Sequence, residues 1–265
     1  MTKTILITGS TDGIGLETAK ALLSEGHRVL IHGRNPDKVE RVGDYLGAQG
    51  YAESIELFVA DLSALSEVVR LALDVARKID RLDVLLNNAG IFKTPQTIAS
   101  NGVDMRFMVN TIAPWVLSRE LLPLLADDAR ILNLSSAAQA PVNFSALRGE
   151  TTIADDFEAY AQSKLALTMW SMEPQALGLK ASQLMVAVNP GSMLGSKMVK
   201  EGFGAKGKDI GIGVRILHQL AVDAGVVRSN GYYDNDIGSY ADPHPDALDA
   251  EARFKLLEVM RTISN

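Results

Sequence analysis

The chain has 265 residues and no cysteine. Thiol nucleophiles, Cys-ligated zinc and disulfides are therefore excluded, and no thiol marks its redox compartment. Histidines are few, at positions 27, 32, 218 and 244, and their spacing matches no metal-binding pattern, so no metal site is expected. Asp234-Asn235-Asp236 opens like a calcium loop. It lacks the glycine and the closing glutamate of such a loop and reads as a turn. Positive charge is not in excess: 26 Lys and Arg against 32 Asp and Glu leave a net charge of -6. That argues against a nucleic-acid surface. No apolar run approaches the roughly 18 residues of a membrane span. The N-terminal residues lack the basic stretch, apolar run and cleavage site of a secretory leader. A cytoplasmic protein with neither nucleic-acid nor membrane partners is expected.

What is present is ordinary globular material, 47% hydrophobic and 22% charged, without linker, repeat or low-complexity block. One domain over residues 1–265 is expected. Apolar, β-rich runs occur at Thr4–Thr8, Arg28–His32, Ile55–Ala60, Leu82–Asn87, Arg130–Ser135, Leu184–Asn189 and Tyr232–Tyr233. Helical stripes lie between them, such as Leu16, Ala19, Leu22 and Leu23, or Val68, Leu71, Val75 and Ile79. Buried runs alternating with helices predict an α/β fold: a doubly wound parallel sheet of about seven strands with helices on both faces. Two long connections, 136–156 and the glycine- and lysine-bearing 190–213, follow carboxyl ends of strands, where open α/β sheets bind ligands. The second is expected to be a substrate-binding loop.

Two motifs carry chemistry. Gly9-Ser10-Thr11-Asp12-Gly13-Ile14-Gly15 stands between the first strand and the first helix. Its G-x-x-x-G-x-G spacing departs from G-x-G-x-x-G, but the physical task is the same: a tight turn, close backbone approach to a pyrophosphate, and a helix N-terminus facing the anion. At the end of the second strand, His32-Gly33-Arg34-Asn35 has no acid to bind ribose hydroxyls. Arg34 suits a 2′-phosphate instead, favouring NADP(H) over NAD(H). Asp12, a negative charge near the phosphates, argues mildly the other way. Tyr160 and Lys164 are the second motif, at i and i+4 on one helix face. An adjacent ammonium favours phenolate and is expected to lower the tyrosine pKa, so that it can exchange a proton with an alcohol or carbonyl.

The ordered set Thr8-Gly9-x-x-x-Gly13-x-Gly15, Asp61-Leu62, Asn87-Asn88-Ala89-Gly90, Asn110, Ser135-Ser136, Tyr160-x-x-Ser163-Lys164 and Pro190-Gly191 resembles the short-chain dehydrogenases/reductases over nearly the whole chain. Tyr160-Ala-Gln-Ser-Lys164, the 101–110 stretch and Asn189-Pro-Gly191 resemble the retinol-dehydrogenase and protochlorophyllide-reductase branch. The resemblance implies a Rossmann fold and a tetrad. Tyr160 would be the proton donor in reduction, and Ser136 would hydrogen-bond the substrate oxygen. Lys164 would bind the nicotinamide ribose and tune Tyr160, and Asn110 would hold a relaying water. It also implies cofactor contacts at Asp61, Leu62, Asn88, Ala89, Gly90, Pro190, Gly191, Ser192 and Met193. Strand alternation lets only one of Ser135 and Ser136 face the site, and the family pattern favours Ser136. One departure stands out: Gly195, followed by Ser196, occupies the place of a threonine that often contacts the nicotinamide carboxamide in the family.

Candidate substrate-lining residues are apolar: Phe92, Ala138, Phe144, Met193, Met198 and Phe203, with Ile91, Ala140, Val142 and Leu194 nearby. A small-molecule substrate with a carbonyl or alcohol, fairly apolar and bulky, fits them. Competing readings are an NADP(H)-sensing protein without turnover and a lyase or epimerase of the same fold. The resemblance also implies a possible homodimer or homotetramer, through helices carrying Trp115, Leu121, Leu165, Met169 and Trp170. Those residues could equally be core.

Overall fold

The structure, a computed structural model, describes residues 2–225 and 227–264; the Phe203 side chain lies outside the described residues. The chain runs β1 (Thr4–Ile7), α1 (Gly13–Ser24), β2 (Arg28–Gly33), α2 (Pro36–Leu46), β3 (Ile55–Val59), α3 (Leu65–Ala76) and β4 (Leu82–Asn87). A short α4 (Met105–Phe107) passes through a wide π turn at Met108–Ile112 into α5 (Ala113–Glu120). Then come β5 (Leu125–Leu134), α6 (Phe144–Leu147), α7 (Asp156–Ser171), α8 (Pro174–Leu177) and β6 (Leu184–Asn189). The chain finishes with α9 (Lys197–Phe203), α10 (Gly211–Val222), β7 (Gly231–Asp234), β8 (Ser239–Ala241), α11 (Pro245–Leu248) and α12 (Ala250–Ile263).

These strands form one sheet of order β3-β2-β1-β4-β5-β6-β7-β8, making a single α/β Rossmann-like domain. All pairings are parallel except β7–β8. Alternation along the strands divides the core in two. Leu6, Leu30, Leu85 and Ile131 face one layer with α3, α5, α7 and α12. Ile5, Ile7, Val29, Ile31, Val84 and Leu86 face the other, with α1 and α10. Strands buried on both faces need continuous apolar runs, which is why β1, β2, β4 and β6 stand out in the sequence. Strand order reverses between β1 and β4, and the crevice beyond their carboxyl ends is where such sheets take ligands.

Three features differ from expectation. β8 adds an eighth strand that folds back antiparallel through a turn with Gly238 at φ +69°. Its Ser-Tyr-Ala sequence carries no apolar run to announce it. β5 starts at Leu125 rather than Arg130. The exposed Asp127 and Asp128 interrupt its apolar pattern, and the register against β4 shifts there. The region 190–213 is largely ordered: it contains α9, and its neck closes through a parallel bridge between Leu194 and Lys208.

Trp115, Leu121, Leu165, Met169 and Trp170 are all fully buried within the single chain, so they present no face for a second subunit. The two tryptophans meet edge to face at 5.6 Å. Buried residues surround α7 on every side, and α11 and α12 pack against it. No helix among the described residues is long and apolar enough to cross a membrane.

Candidate active site

The turn after β1 is built by close approach. Gly9 has φ +65° and Gly13 φ +55°, a region L side chains rarely adopt. Gly15 lies against the β4 loop: a Cβ there would stand 2.5 Å from Asn88 Nδ2 and 2.6 Å from Gly9 O. Asn88 Nδ2 donates to Thr8 O at 2.8 Å and Gly9 O at 3.0 Å, and Ala89 N donates to Thr8 Oγ1 at 3.0 Å. The Asn87–Gly90 loop thus braces the glycine turn. Asn87 ties the sheet below it, donating to Asn133 Oδ1 at 2.8 Å and Ser118 Oγ at 3.2 Å.

Above the turn opens a cleft of about 410 Å³. Gly9, Thr11, Asp12, Gly13, Ile14 and Gly15 line one end. Arg34, Lys38, Asp61 and Leu62 lie around the ends of β2 and β3, with Asn88, Ala89, Gly90, Tyr160, Lys164 and Pro190 further along. Ser10 is turned inward: its hydroxyl donates to Ile7 O at 2.8 Å and accepts from His32 N at 2.9 Å. It braces the turn and does not line the cleft. Gly191, Ser192 and Met193 also lie outside the cleft wall. Ser192 is tied instead to Asp236 through both its amide, at 2.9 Å, and its hydroxyl. Asp234 and Asp236 accept from Asn189 Nδ2 at 2.8 and 2.9 Å, so this acidic turn anchors the strand β6 exit.

Asp12 is not the electrostatic liability its sequence position suggests. It caps α1 by accepting from Gly13 N at 2.8 Å and pairs with Lys38 Nζ at 2.6 Å. The Lys38 hydrogen bond holds its carboxyl below the usual range against the opposing effect of burial. Lys38, in the first turn of α2, joins Arg34 at the same end of the cleft, a placement that the sequence pattern does not announce. Arg34 itself is exposed and makes no ion pair among the described residues. His32 is a second unforeseen wall residue. Its Nδ1 accepts from Gly9 N at 3.1 Å, so Nε2 carries the proton and donates to Ala60 O at 3.1 Å. Burial pushes its pKa down to about 4.

At the other end, α7 presents Tyr160 and Lys164. Ser163 between them donates to Tyr160 O at 2.7 Å. Asn110 in the π turn donates to Ser163 Oγ and Ile91 O, both at 2.9 Å, and accepts from Ile91 N at 2.8 Å. π turns of this kind recur at functional sites, and here one locks α7 to the β4 loop. The Asn110 side chain does not itself line the cleft; it is fully engaged in this bracing. Lys164 Nζ lies 5.7 Å from the Tyr160 ring centre and donates to Leu134 O at 2.6 Å. Desolvation lowers its pKa to about 7. Tyr160 is half-exposed as a residue, but its hydroxyl is enclosed, and burial raises its pKa against a hydrogen bond from Ser136. The expected lowering by Lys164 is not seen, because burial disfavours phenolate and disfavours the lysine charge that would offset it.

Ser136 therefore meets Tyr160, whereas Ser135 does not. Ser135 borders the cleft, but its hydroxyl turns inward to Thr168 Oγ1 at 2.6 Å. Of the expected substrate residues, Phe92 and Met198 line the cleft. Phe92 meets Tyr160 edge to face at 5.2 Å. Ala138 and Phe144 do not line it; Phe144 packs on the core beside α12, with Lys255 Nζ 4.6 Å above its ring. Met193 points elsewhere, and Phe203 cannot be placed because its side chain lies outside the described residues. Gly195 lies against the loop neck, where a Cβ would come within 3.0 Å of Lys208 O. Ser196 beside it lines the cleft and caps α9.

The short chain dehydrogenase family model matches residues 3–205. Human retinol dehydrogenase 13 is 31% identical over 175 residues, covering 64% of this chain and 53% of that protein. Short-chain dehydrogenase chry4 of Gibberella zeae is 30% identical over 256 residues, covering 93% of this chain and 90% of its own. Against the retinol dehydrogenases, the chain spans about half the length of the relatives it matches. Among solved structures, an uncharacterized Mycobacterium paratuberculosis protein superposes with TM-score 0.79 at 25% identity, covering 99% of this chain and 93% of that one. Pseudomonas aeruginosa RhlG, solved with NADP at its active site, gives 0.70 at 25% identity, covering 89% and 95%. The chain belongs to the short-chain dehydrogenase family, in its retinol-dehydrogenase-like branch.

Proposed function

We propose that this protein is an NADP(H)-dependent oxidoreductase that interconverts a carbonyl and an alcohol on an apolar, bulky small molecule. The observation that carries this is a single cleft lined by both the braced glycine turn and the Tyr160–Lys164 pair, with Ser136 beside Tyr160. The residues fit the cofactor. Gly9, Gly13 and Gly15 keep side chains out of the turn, and the α1 N-terminus faces an anion placed there. Arg34 and Lys38 supply two cations for a 2′-phosphate, while Asp61, Leu62 and the Asn88–Gly90 loop flank the adenosine side. Pro190 closes the wall. The bound nicotinamide supplies or takes the hydride.

The chain's own groups move the proton. In reduction Tyr160 gives its phenolic proton to the carbonyl oxygen, and in oxidation it takes one back. Ser136 donates to the same oxygen and fixes its position. Lys164, anchored on Leu134 O, sets the electrostatics behind the tyrosine, and Asn110 holds α7 in register with the β4 loop. Phe92, Ile91 and Met198 offer an apolar wall beside Tyr160. Relatives named for retinol and polyprenol dehydrogenation support an apolar alcohol or carbonyl as substrate.

The test is separate titration of NADPH and NADH, with Arg34→Ala and Lys38→Ala as variants. NADPH should bind tighter than NADH, and each variant should weaken NADPH about tenfold while leaving NADH nearly unchanged. Equal binding of both cofactors would overturn the cofactor assignment; binding of neither would overturn the function.

A further inference from the structure

Ser136 lies past the end of β5, beyond the last ladder bond at Ser135 N→Val188 O of 2.8 Å. Something other than the sheet must hold it. Its backbone carbonyl accepts two hydrogen bonds, from Tyr232 Oη at 3.1 Å and from Gln139 Nε2 at 3.0 Å. Gln139 Oε1 accepts from His244 N at 3.1 Å, which fixes the amide orientation and ties the start of α11 to the serine. The Ser136 hydroxyl oxygen accepts from Ala138 N at 3.1 Å. Its own proton is thereby left to donate toward Tyr160.

Tyr232 is 4% exposed and sits on β7, opposite Ala187. Burial, with Asp234 adding to it, pushes its phenol well above the ordinary tyrosine range, so it remains a donor. No step of the proton transfer uses it. A buried phenol aimed at one carbonyl of the loop that carries the substrate-orienting hydroxyl has a positional task.

We propose that Tyr232 and Gln139 are positioning residues that lock the Ser136 carbonyl, and through it aim the Ser136 hydroxyl at the reacting oxygen. The inference rests on the functional reading above. Neither Tyr232 nor Gln139 lines the cleft, so their route of action is through Ser136.

The experiment is a double-mutant cycle on the full chain. Tyr232→Phe removes one hydrogen bond and keeps the ring, and Gln139→Leu removes the other donor. Each should lower kcat roughly three- to tenfold for the ketone that the wild-type chain reduces best. NADPH affinity and the unfolding midpoint should stay near wild type. In a Ser136→Ala background, Tyr232→Phe should have no further effect on kcat, because its route of action is gone. Wild-type turnover by both Tyr232→Phe and Gln139→Leu would overturn the inference. So would an equal loss with and without the Ser136 hydroxyl, or a loss matched by weakened NADPH binding and a lowered midpoint. If Ser136→Ala alone turns over as wild type, the functional reading itself fails, and that result is distinguishable from the others.

Discussion

Gly15→Ala tests the cradle that makes this fold a dinucleotide binder. The added Cβ would stand 2.5 Å from Asn88 Nδ2 and 2.6 Å from Gly9 O, about 1 Å inside ordinary contact distance on two sides. One of those atoms is backbone and cannot swing away. Asn88 must move, giving up its bonds to Thr8 O at 2.8 Å and Gly9 O at 3.0 Å. Two lost hydrogen bonds at about 1 kcal/mol each and overpacking of about 1–3 kcal/mol sum to roughly 3–5 kcal/mol. For a chain of this size that lowers the unfolding midpoint by about 10 °C. Gly13→Ala is the control. Its Cβ would meet only Ile210 Cδ1 at 4.0 Å, so the cost is the left-handed backbone at φ +55° alone, about 1 kcal/mol. Thermal unfolding followed by circular dichroism, with NADPH titration of each variant, reads both effects. Gly15→Ala should be the less stable variant by several degrees and should bind NADPH at least tenfold more weakly than wild type. Equal midpoints for the two variants, with wild-type NADPH binding by Gly15→Ala, would refute the reasoning.

Two further outcomes depend on pH. His32 takes its proton near pH 6.5 in the unfolded chain but only near pH 4 in the folded one. The unfolded state therefore binds more protons in that window, and His32 contributes stability above pH 6.5 that is lost as pH falls toward 4. The loss is about 3 kcal/mol. Urea unfolding at pH 7 and pH 5 should show a smaller acid loss for His32→Asn than for wild type; identical losses would show that His32 is not the group responsible. Burial raises the Tyr160 pKa, so the phenol stays protonated through neutral pH. Carbonyl reduction should be nearly flat across neutral pH, while alcohol oxidation should climb as pH rises into the alkaline range. Oxidation that is fastest at acid pH would contradict that assignment.

The parallel strands were legible because burial on both faces demands continuous apolar runs, as in Ile5-Leu6-Ile7 and Leu184–Asn189. β8 was not, since an edge strand paired on one side can be as polar as Ser239-Tyr240-Ala241. The site divides in the same way. Tyr160 and Lys164 lie one helical turn apart, and the glycines sit within one turn, so spacing alone brings each set together. Lys38 carried only a weak signal, as a cation in the first turn of the helix that follows Arg34. Tyr232, Gln139 and His244 carried none, because their meeting depends on β7 lying beside β6 and on the packing of α11. Ser10 and Met193 were assigned by position in a motif. Their side chains are directed by local hydrogen bonding and backbone φ, which a motif does not encode. Tyr160 shows the energetic form of the same limit: the i, i+4 lysine was visible, but the burial that outweighs it was not.

The central claim is that Tyr160 passes a proton in a cleft that binds NADP(H). The most direct measurement is NADPH oxidation by wild type and Tyr160→Phe in the presence of a panel of bulky apolar ketones and aldehydes, with NADPH binding titrated on both proteins. The account predicts that the variant binds NADPH within about twofold of wild type and loses at least a hundredfold in turnover. Turnover that survives in Tyr160→Phe would contradict the account.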